Sequence, residues 1–493
     1  MKKFEVNEQN IGLTANGANT HVTTEDECLD FFALGGAMRK QTEENIIDLF
    51  DAAYASNKLL AMKLLFYMRD IRGGQGERRT FRVILKHIAN TDPATMRKNL
   101  KLIPEYGRWD DLYALEGTPL EKEMFSFIKK QFNLDRTSNT PSLLAKWLKS
   151  ENASSEETKM LATKTRKALK LSPRQYRKEL SRLRKRIGVV ETLISRNKWD
   201  EIEYDKIPSN AGLKYANAFA KHDYERYGEF LNKAKNTDSK SVNADTLYPY
   251  EIVKRAYKYF NRWSPYYRNG NIPQTERDAL EVYWKNLKDY FANQPDNYSA
   301  ICVVDTSGSM EGRPLEVALS LGLYTAERCK GLFKDTFITF SRKPQLQKVV
   351  GKDVYEKLSN MNRADWDMNT NIKAVFDILL NKAIKGGLSQ ETLPQNIFII
   401  SDMQFDYCTQ CNDAETLMDH IYDEWKEAGY EMPHLIFWNV NATSRNIPVL
   451  GKGKISYVSG FSPVIFEIVL SNKSGYELML EVLNSERYSK ITV

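Results

Sequence analysis

Residues 305 to 309 read Asp305-Thr306-Ser307-Gly308-Ser309. One carboxylate and two hydroxyls at alternate positions make an oxygen-only set. Such sets suit a hard divalent cation, Mg²⁺ or Mn²⁺, with water completing the octahedron. Gly308 allows the backbone turn that lets both serines face one point. Two more groups belong at the same place. Thr370 precedes a predicted helix, and Asp402 follows the predicted strand Asn396-Ile397-Phe398-Ile399-Ile400. Asp305, Ser307, Ser309, Thr370 and Asp402 are therefore the expected metal set, with Asp365, Asp367 and Asp406 as flanking carboxylates that could tune it. The plainer alternative is a Ser/Gly turn capping a helix. With two carboxylates far apart in sequence and no evident base, a binding site is expected and not a hydrolytic centre.

A second chemistry is cationic. Between residues 159 and 186 stand Lys159, Lys164, Arg166, Lys167, Lys170, Arg174, Arg177, Lys178, Arg182, Arg184, Lys185 and Arg186, opposed only by Glu179. Ser172-Pro173-Arg174-Gln175 predicts a helix start, with Ser172 as N-cap and Gln175 in the capping-box position. Tyr176, Leu180, Leu183 and Ile187 then form one apolar stripe, leaving the cations on the other faces. A helix that buries one stripe and offers a cationic face suits phosphate, with steep salt dependence and little sequence preference. Lys167, Lys170, Arg174, Arg177, Lys178, Arg182, Arg184, Lys185 and Arg186 are the expected phosphate contacts; a solvated surface is the alternative. Nearby Tyr204, Tyr215, Phe219, Tyr224 and Tyr227 could stack bases, although their helical spacing favours core packing for most. Arg69-Asp70-Ile71-Arg72-Gly73-Gly74-Gln75-Gly76 could offer backbone N–H groups to a phosphate. It lacks the P-loop ending, and an inter-helix turn is the plainer expectation.

The elements that must position these groups fall into two regions. Residues 1–295 read as helical, with three- and four-residue apolar spacing in Ile46, Leu49, Phe50, Ala53 and in Leu59, Met62, Leu65, Phe66. Helical pairs with short breaks suit a HEAT-type α-solenoid or an irregular helical domain. Residues 296–493 alternate short β-branched runs with helices near 314–330, 372–384 and 414–428, which predicts a doubly wound parallel sheet. Strands are expected at 300–304, 336–340, 396–400 and 434–438.

The charge divides at the same place. The 493 residues carry a net charge of +7. Residues 1–300 hold 51 Lys+Arg against 40 Asp+Glu, a net of +11, and residues 301–493 hold 20 against 24, a net of -4. The asymmetry points to a polyanion partner for the first region. No apolar run approaches the ~20 residues of a membrane span. The start of the chain lacks a signal-type apolar core, and five cysteines fit a reducing cytosol, so a cytoplasmic protein is expected. Cys408-Thr409-Gln410-Cys411 has half-zinc-site spacing with no second pair, so ordinary thiols are expected.

The metal set resembles, in order and context, the metal-ion-dependent adhesion site of von Willebrand factor A domains. In that family the first loop supplies Asp and two Ser, the second a Thr and the third an Asp. The helical region carries Arg72-Gly73-Gly74-Gln75-Gly76-Glu77-Arg78 and Pro104-Glu105-Tyr106-Gly107-Arg108-Trp109-Asp110-Asp111-Leu112. With the α/β region after it, the chain resembles the Ro autoantigen (TROVE) architecture. It is closer still to uncharacterised relatives of Ro in plants, fungi, large DNA viruses and phages. Their shared signatures include Leu29-Asp30-Phe31-Phe32, Pro208-Ser209-Asn210-Ala211, Ser401-Asp402-Met403-Gln404-Phe405-Asp406, Phe437-Trp438-Asn439 and Ser459-Gly460-Phe461-Ser462. The resemblance implies a monomeric ring of HEAT-like helices closed by an A domain, with the N-terminal segment near the C-terminal domain. It also implies binding of structured small RNAs and of single-stranded RNA ends, and a metal that bridges to a carboxylate of a partner protein. The expected function is non-enzymatic RNA binding. The alternative is a metal-dependent interaction or assembly module, perhaps a viral component, that captures an acidic residue without nucleic acid.

Overall fold

Short polar side chains start many of the helices. Asp26, Thr42, Asn57, Asp92, Ser155 and Ser172 each accept a hydrogen bond from the backbone N–H three residues on. The structure is a computed structural model that describes residues 10–17, 19–237, 242–244, 246–260, 272–340, 343–364, 371–405, 414–448, 454–471, 473 and 475–493. It opens on a hairpin of β1 (Ile11–Leu13) and β2 (Asn19–His21). Helices follow: α1 (Glu27–Leu34), α2 (Glu43–Ser56), α3 (Lys58–Arg69), α4 (Arg79–Thr91), α5 (Pro93–Asn99), α6 (Ile103–Tyr106) and α7 (Glu121–Thr137). The helical region continues with α8 (Leu144–Trp147), α9 (Glu156–Ala168), α10 (Pro173–Ile187), α11 (Val190–Ile194) and α12 (Ser209–His222). It ends with α13 (Tyr224–Lys235), α14 (Pro249–Phe260) and α15 (Gln274–Lys285). Helices pack on sequence neighbours and on more distant ones, α2 against α1, α3 and α4, and α12 against α13 and α15.

The C-terminal region is a six-stranded mixed sheet. It runs β3 (Ala300–Val304), α16 (Arg313–Arg328), β4 (Thr336–Thr339), β5 (Leu346–Lys348), α17 (Val354–Met361), α18 (Ile372–Gly386) and β6 (Asn396–Ser401). Then come α19 (Ala414–Glu427), β7 (His434–Asn439), β8 (Ile455–Ser459), α20 (Ile465–Val469) and α21 (Gly475–Leu483). The spatial order is β5-β4-β3-β6-β7-β8, parallel except for β5, which pairs antiparallel with β4. The order reverses direction at β3, the switch point where open sheets leave a crevice beyond their carboxyl ends. The four predicted strands are present. The sheet is mixed, not wholly parallel, and β1, β2, β5 and β8 are additions to the sequence reading. The first three are three residues each, too short for periodicity to register.

The two regions share one continuous apolar core that runs from Cys28 to Ile491. Both ends of the described chain reach across. His21 pairs with Ile447 by two backbone hydrogen bonds of 3.0 and 2.9 Å. At the other end Arg487 and Tyr488, just beyond α21, fasten onto the buried Asp70 after α3. Arg487 Nη2 donates to Oδ1 at 2.6 Å and the Tyr488 hydroxyl to Oδ2 at 3.0 Å. Asn99 adds two bonds to Thr492, of 2.6 and 3.1 Å.

Candidate functional site

Parallel pairing of β3 with β6 sets Val304 opposite Ile400, so Asp305 emerges beside Ser401 and Asp402. Asp305 is fully buried; its Oδ1 accepts from the Ser307 N–H at 2.9 Å and its Oδ2 from the Ser401 hydroxyl at 2.5 Å. The Ser307 and Ser309 hydroxyl oxygens lie 3.2 Å apart. The next parallel strand, β7, leads to Asn441, whose Nδ2 donates to the Ser309 carbonyl at 3.1 Å. Three strand ends thus converge on four of the expected residues, Asp305, Ser307, Ser309 and Asp402. Thr370 lies outside the described residues, as do Asp365, Asp367, Asp406, Cys408 and Cys411.

The electrostatics suit a cation. Burial pushes the Asp305 carboxyl up to about 6, and the neighbouring Asp402 charge adds to the rise. Burial also raises Asp402, with the Ser309 hydroxyl, the Gln404 N–H and, last, the Lys40 charge acting against the rise. Asp402 Oδ1 accepts from the Gln404 N–H at 3.3 Å, whereas the buried Oδ2 has no hydrogen-bond partner. An orphaned buried oxygen beside a second raised carboxyl fits a site for a hard cation. Among the described residues no three His, Cys, Asp or Glu side chains converge, so a cation here would depend on the serine hydroxyls as well as the two carboxylates.

Gln404 belongs to one of the shared signatures and the N-terminal segment is expected near this region, but the residues that hold the loop carry no predicted role. Gln404 is the hub: its Oε1 accepts from the Ala15 N–H at 2.6 Å, and its carbonyl accepts from Asn16 Nδ2 at 2.7 Å. Its Nε2 donates to the Thr443 and Ser444 hydroxyls, each at 2.8 Å. The Thr14 hydroxyl donates to the Phe405 carbonyl at 2.8 Å. The N-terminal arm is thereby wired to the loop that carries Asp402. Met403, between Asp402 and Gln404, sits at φ +62°, a left-handed conformation uncommon for a non-glycine residue.

The cationic helix forms as its sequence predicts. Ser172 and Gln175 complete the capping box, Pro173 stands in the first turn, and Gly188 ends α10 at φ +71°. Tyr176, Leu180 and Leu183 are buried. Opposite them Arg174, Arg177, Lys178 and Lys185 share one exposed face, and Lys167 and Lys170 are exposed just before it. The others differ. Arg184 is half-buried and donates to the carbonyls of Ala145 (2.9 Å) and Leu148 (3.0 Å), holding the segment after α8. Exposed Arg186 donates to the carbonyls of Arg136 (3.2 Å) and Ser138 at the end of α7. Arg182 pairs with Glu179 at 2.8 Å. Lys164 and Arg166 likewise pair with Glu116 and Glu151, at 2.5 and 2.7 Å. Among the described residues Lys167, Lys170, Arg174, Arg177, Lys178 and Lys185 have no ion-pair partner.

Two other expectations resolve plainly. The glycine-rich stretch after α3 is an inter-helix turn. Its Arg72 and Gly73 N–H groups donate to Asp70 Oδ1 at 2.9 and 3.1 Å, so Asp70 takes the amides a phosphate would need. A Cβ at Gly74 would fall 2.0 Å from the Tyr67 carbonyl, so this close turn requires glycine. Of the aromatics, Tyr204, Phe219 and Tyr227 pack together in the core, while Tyr224 is exposed.

A family model described as "Domain of unknown function (DUF2828)" matches residues 14–131 and 129–294. The chain belongs to this family. A second model, "Domain of unknown function (DUF7788)", matches residues 299–490 of this family member. An uncharacterized protein of Acanthamoeba polyphaga mimivirus is 30% identical over 508 residues, covering 94% of this chain and 85% of its own. The crystal structure of the Deinococcus radiodurans RO (RSR) protein is similar with a TM-score of 0.49 and 14% identity, over 94% of this chain and 99% of that one.

Proposed function

We propose that this chain is a non-enzymatic RNA-binding protein that holds small structured or single-stranded RNA on the exposed face of α9 and α10. The observation that carries the reading is the group of six exposed cations, Lys167, Lys170, Arg174, Arg177, Lys178 and Lys185, without an ion-pair partner among the described residues. Exposed charges left unpaired suit a phosphate backbone, where binding gains from counterion release. The resemblance of the motif set to the RNA-binding Ro architecture supports the same reading. It also supports a ring closed by an A domain, for which the bonds from Thr14, Ala15 and Asn16 to Gln404 and Phe405 supply contacts.

The α/β region would hold Mg²⁺, or another hard divalent cation, through Asp305, Ser307, Ser309, Asp402 and Thr370. Bound there, the cation would supply a Lewis-acidic point that bridges to an oxygen anion of a partner. The orphaned Asp402 Oδ2 favours a second reading, in which the metal face captures an acidic residue of a partner protein and the chain is an assembly module.

The test is fluorescence anisotropy with a labelled single-stranded RNA and a hairpin RNA, for the wild type and the quadruple variant Arg174→Glu, Arg177→Glu, Lys178→Glu, Lys185→Glu. Binding by the wild type and its loss in the variant supports the reading. Equal binding by both overturns it. Protein capture that is EDTA-sensitive and RNase-insensitive, with no RNA binding, favours the assembly module.

A further inference from the structure

A groove of about 730 Å³ opens beside α10, within the roughly 300–1,000 Å³ range of small-ligand pockets. Its walls come from α8, α10, α12 and the segment around α11, and include Lys146, Trp147, Arg177, Arg196 and Lys214. Two carboxylates also line it, and both are engaged. Glu151 accepts from Arg166 Nε at 2.7 Å, and Glu191 accepts from the Tyr215 hydroxyl at 3.2 Å. The cations Lys146, Arg177, Arg196 and Lys214 have no ion-pair partner among the described residues, although the Glu191 charge acts on Lys214, so the groove carries a net positive charge. Lys214 Nζ donates to the Tyr215 hydroxyl at 2.9 Å.

The groove also offers a flat ring. Trp147 is half-buried, with the Arg108 guanidinium, outside the groove lining, 4.6 Å and Lys146 Nζ 5.9 Å from its ring centroid. Cations with an adjacent indole suit a ligand that carries both a phosphate and an aromatic base. Arg177 links the groove to the outer surface, because it lines the groove and also stands on the exposed face of α10 beside Arg174 and Lys178. An RNA strand lying on that face continues into the groove without leaving positive charge.

We propose that the groove takes an unpaired nucleotide of the RNA, its phosphates against Arg177, Arg196 and Lys214 and its base stacked on Trp147. This rests on the reading that α9 and α10 bind RNA, and it adds a selection. A base inside a duplex cannot present its face to an indole, so the groove favours single strands, loops and ends over paired RNA.

The experiment measures anisotropy of a labelled single-stranded RNA and of a blunt RNA duplex. It compares the wild type, Trp147→Ala, Trp147→Phe and Lys214→Glu at one salt concentration. The expected result for Trp147→Ala is a roughly 5- to 150-fold loss on the single strand, the measured span of one base–aromatic stack, with little change on the duplex. Trp147→Phe keeps most of the single-strand affinity, and Lys214→Glu loses it. The proposal is overturned if Trp147→Ala and Lys214→Glu bind the single strand as the wild type does. It is also overturned if both RNAs weaken equally in Trp147→Ala and Trp147→Phe, the pattern of a merely structural tryptophan. Wild type that binds neither RNA overturns the RNA reading itself and this proposal with it.

Discussion

Salt is the perturbation that reads the α9–α10 face most directly. Each phosphate neutralised on a single strand contributes about 0.7 to the slope of log affinity against log salt. Lys167, Lys170, Arg174, Arg177, Lys178 and Lys185 are all exposed, and if each meets one phosphate the slope is about -4. A fourfold rise in salt, from about 50 to 200 mM, then weakens binding roughly 300-fold. Arg174→Glu with Lys178→Glu removes two contacts and lowers the slope to about -3 or shallower. Arg184→Gln behaves differently, because its guanidinium is held by the Ala145 and Leu148 carbonyls. It lowers stability and leaves the slope unchanged. The assay is anisotropy of a labelled single-stranded RNA across a KCl series. A slope near zero in the wild type, or an identical slope in the double variant, refutes the reasoning.

Three further outcomes follow from other parts of the molecule. Asp70→Asn breaks a clasp whose carboxylate is fully buried while Arg487 is partly exposed. The cost is therefore set at the low end for such pairs, about 3 kcal/mol, and hydrogen exchange of residues 486–492 accelerates roughly 100-fold; unchanged protection there contradicts the clasp. Mg²⁺ titration of the wild type raises its melting temperature, by about 1.4 kcal/mol of stability at ten times the dissociation constant and further with the logarithm of concentration. Asp402→Asn shows no such rise, and an equal rise in both excludes the site. Burial pushes the Glu316 carboxyl up from 4.5 to about 7. The folded state therefore holds an extra proton across that window, and stability falls as pH rises through it. Glu316→Gln flattens the fall by on the order of 1–3 kcal/mol in denaturant titrations at pH 4.5 and 8; parallel pH profiles contradict this.

Much of the α/β region was legible because its central strands are apolar on both faces. Ile301, Val303, Ile397 and Ile399 are buried on one face, and Cys302, Val304, Phe398 and Ile400 on the other. β8 was not, because Ser456 and Ser459 break its apolar run. The fold satisfies them with distant partners: His434 Nε2 lies 2.9 Å from the Ser456 hydroxyl, and the Ser459 hydroxyl donates to the Phe32 carbonyl at 3.2 Å. The same divide runs through the site. Asp305, Ser307, Ser309 and Asp402 announce themselves by type and spacing. Ser401, Gln404 and Asn441 matter through tertiary contacts, some of them nearly 400 residues away in sequence, as from Ala15 to Gln404. Charge density located the cationic helix, but nothing local distinguishes free Arg174 from committed Arg184. The difference lies in acceptors 36 and 39 residues upstream.

The account rests on RNA reaching the face of α9 and α10. Ultraviolet crosslinking of the full chain as expressed in cells, followed by sequencing of the attached nucleic acid and mapping of the crosslinked peptides, tests that most directly. The expected result is RNA crosslinked to peptides within residues 146–214, lost on reversal of Arg174, Arg177, Lys178 and Lys185. No crosslinked nucleic acid above background, or crosslinks confined to peptides elsewhere, contradicts it.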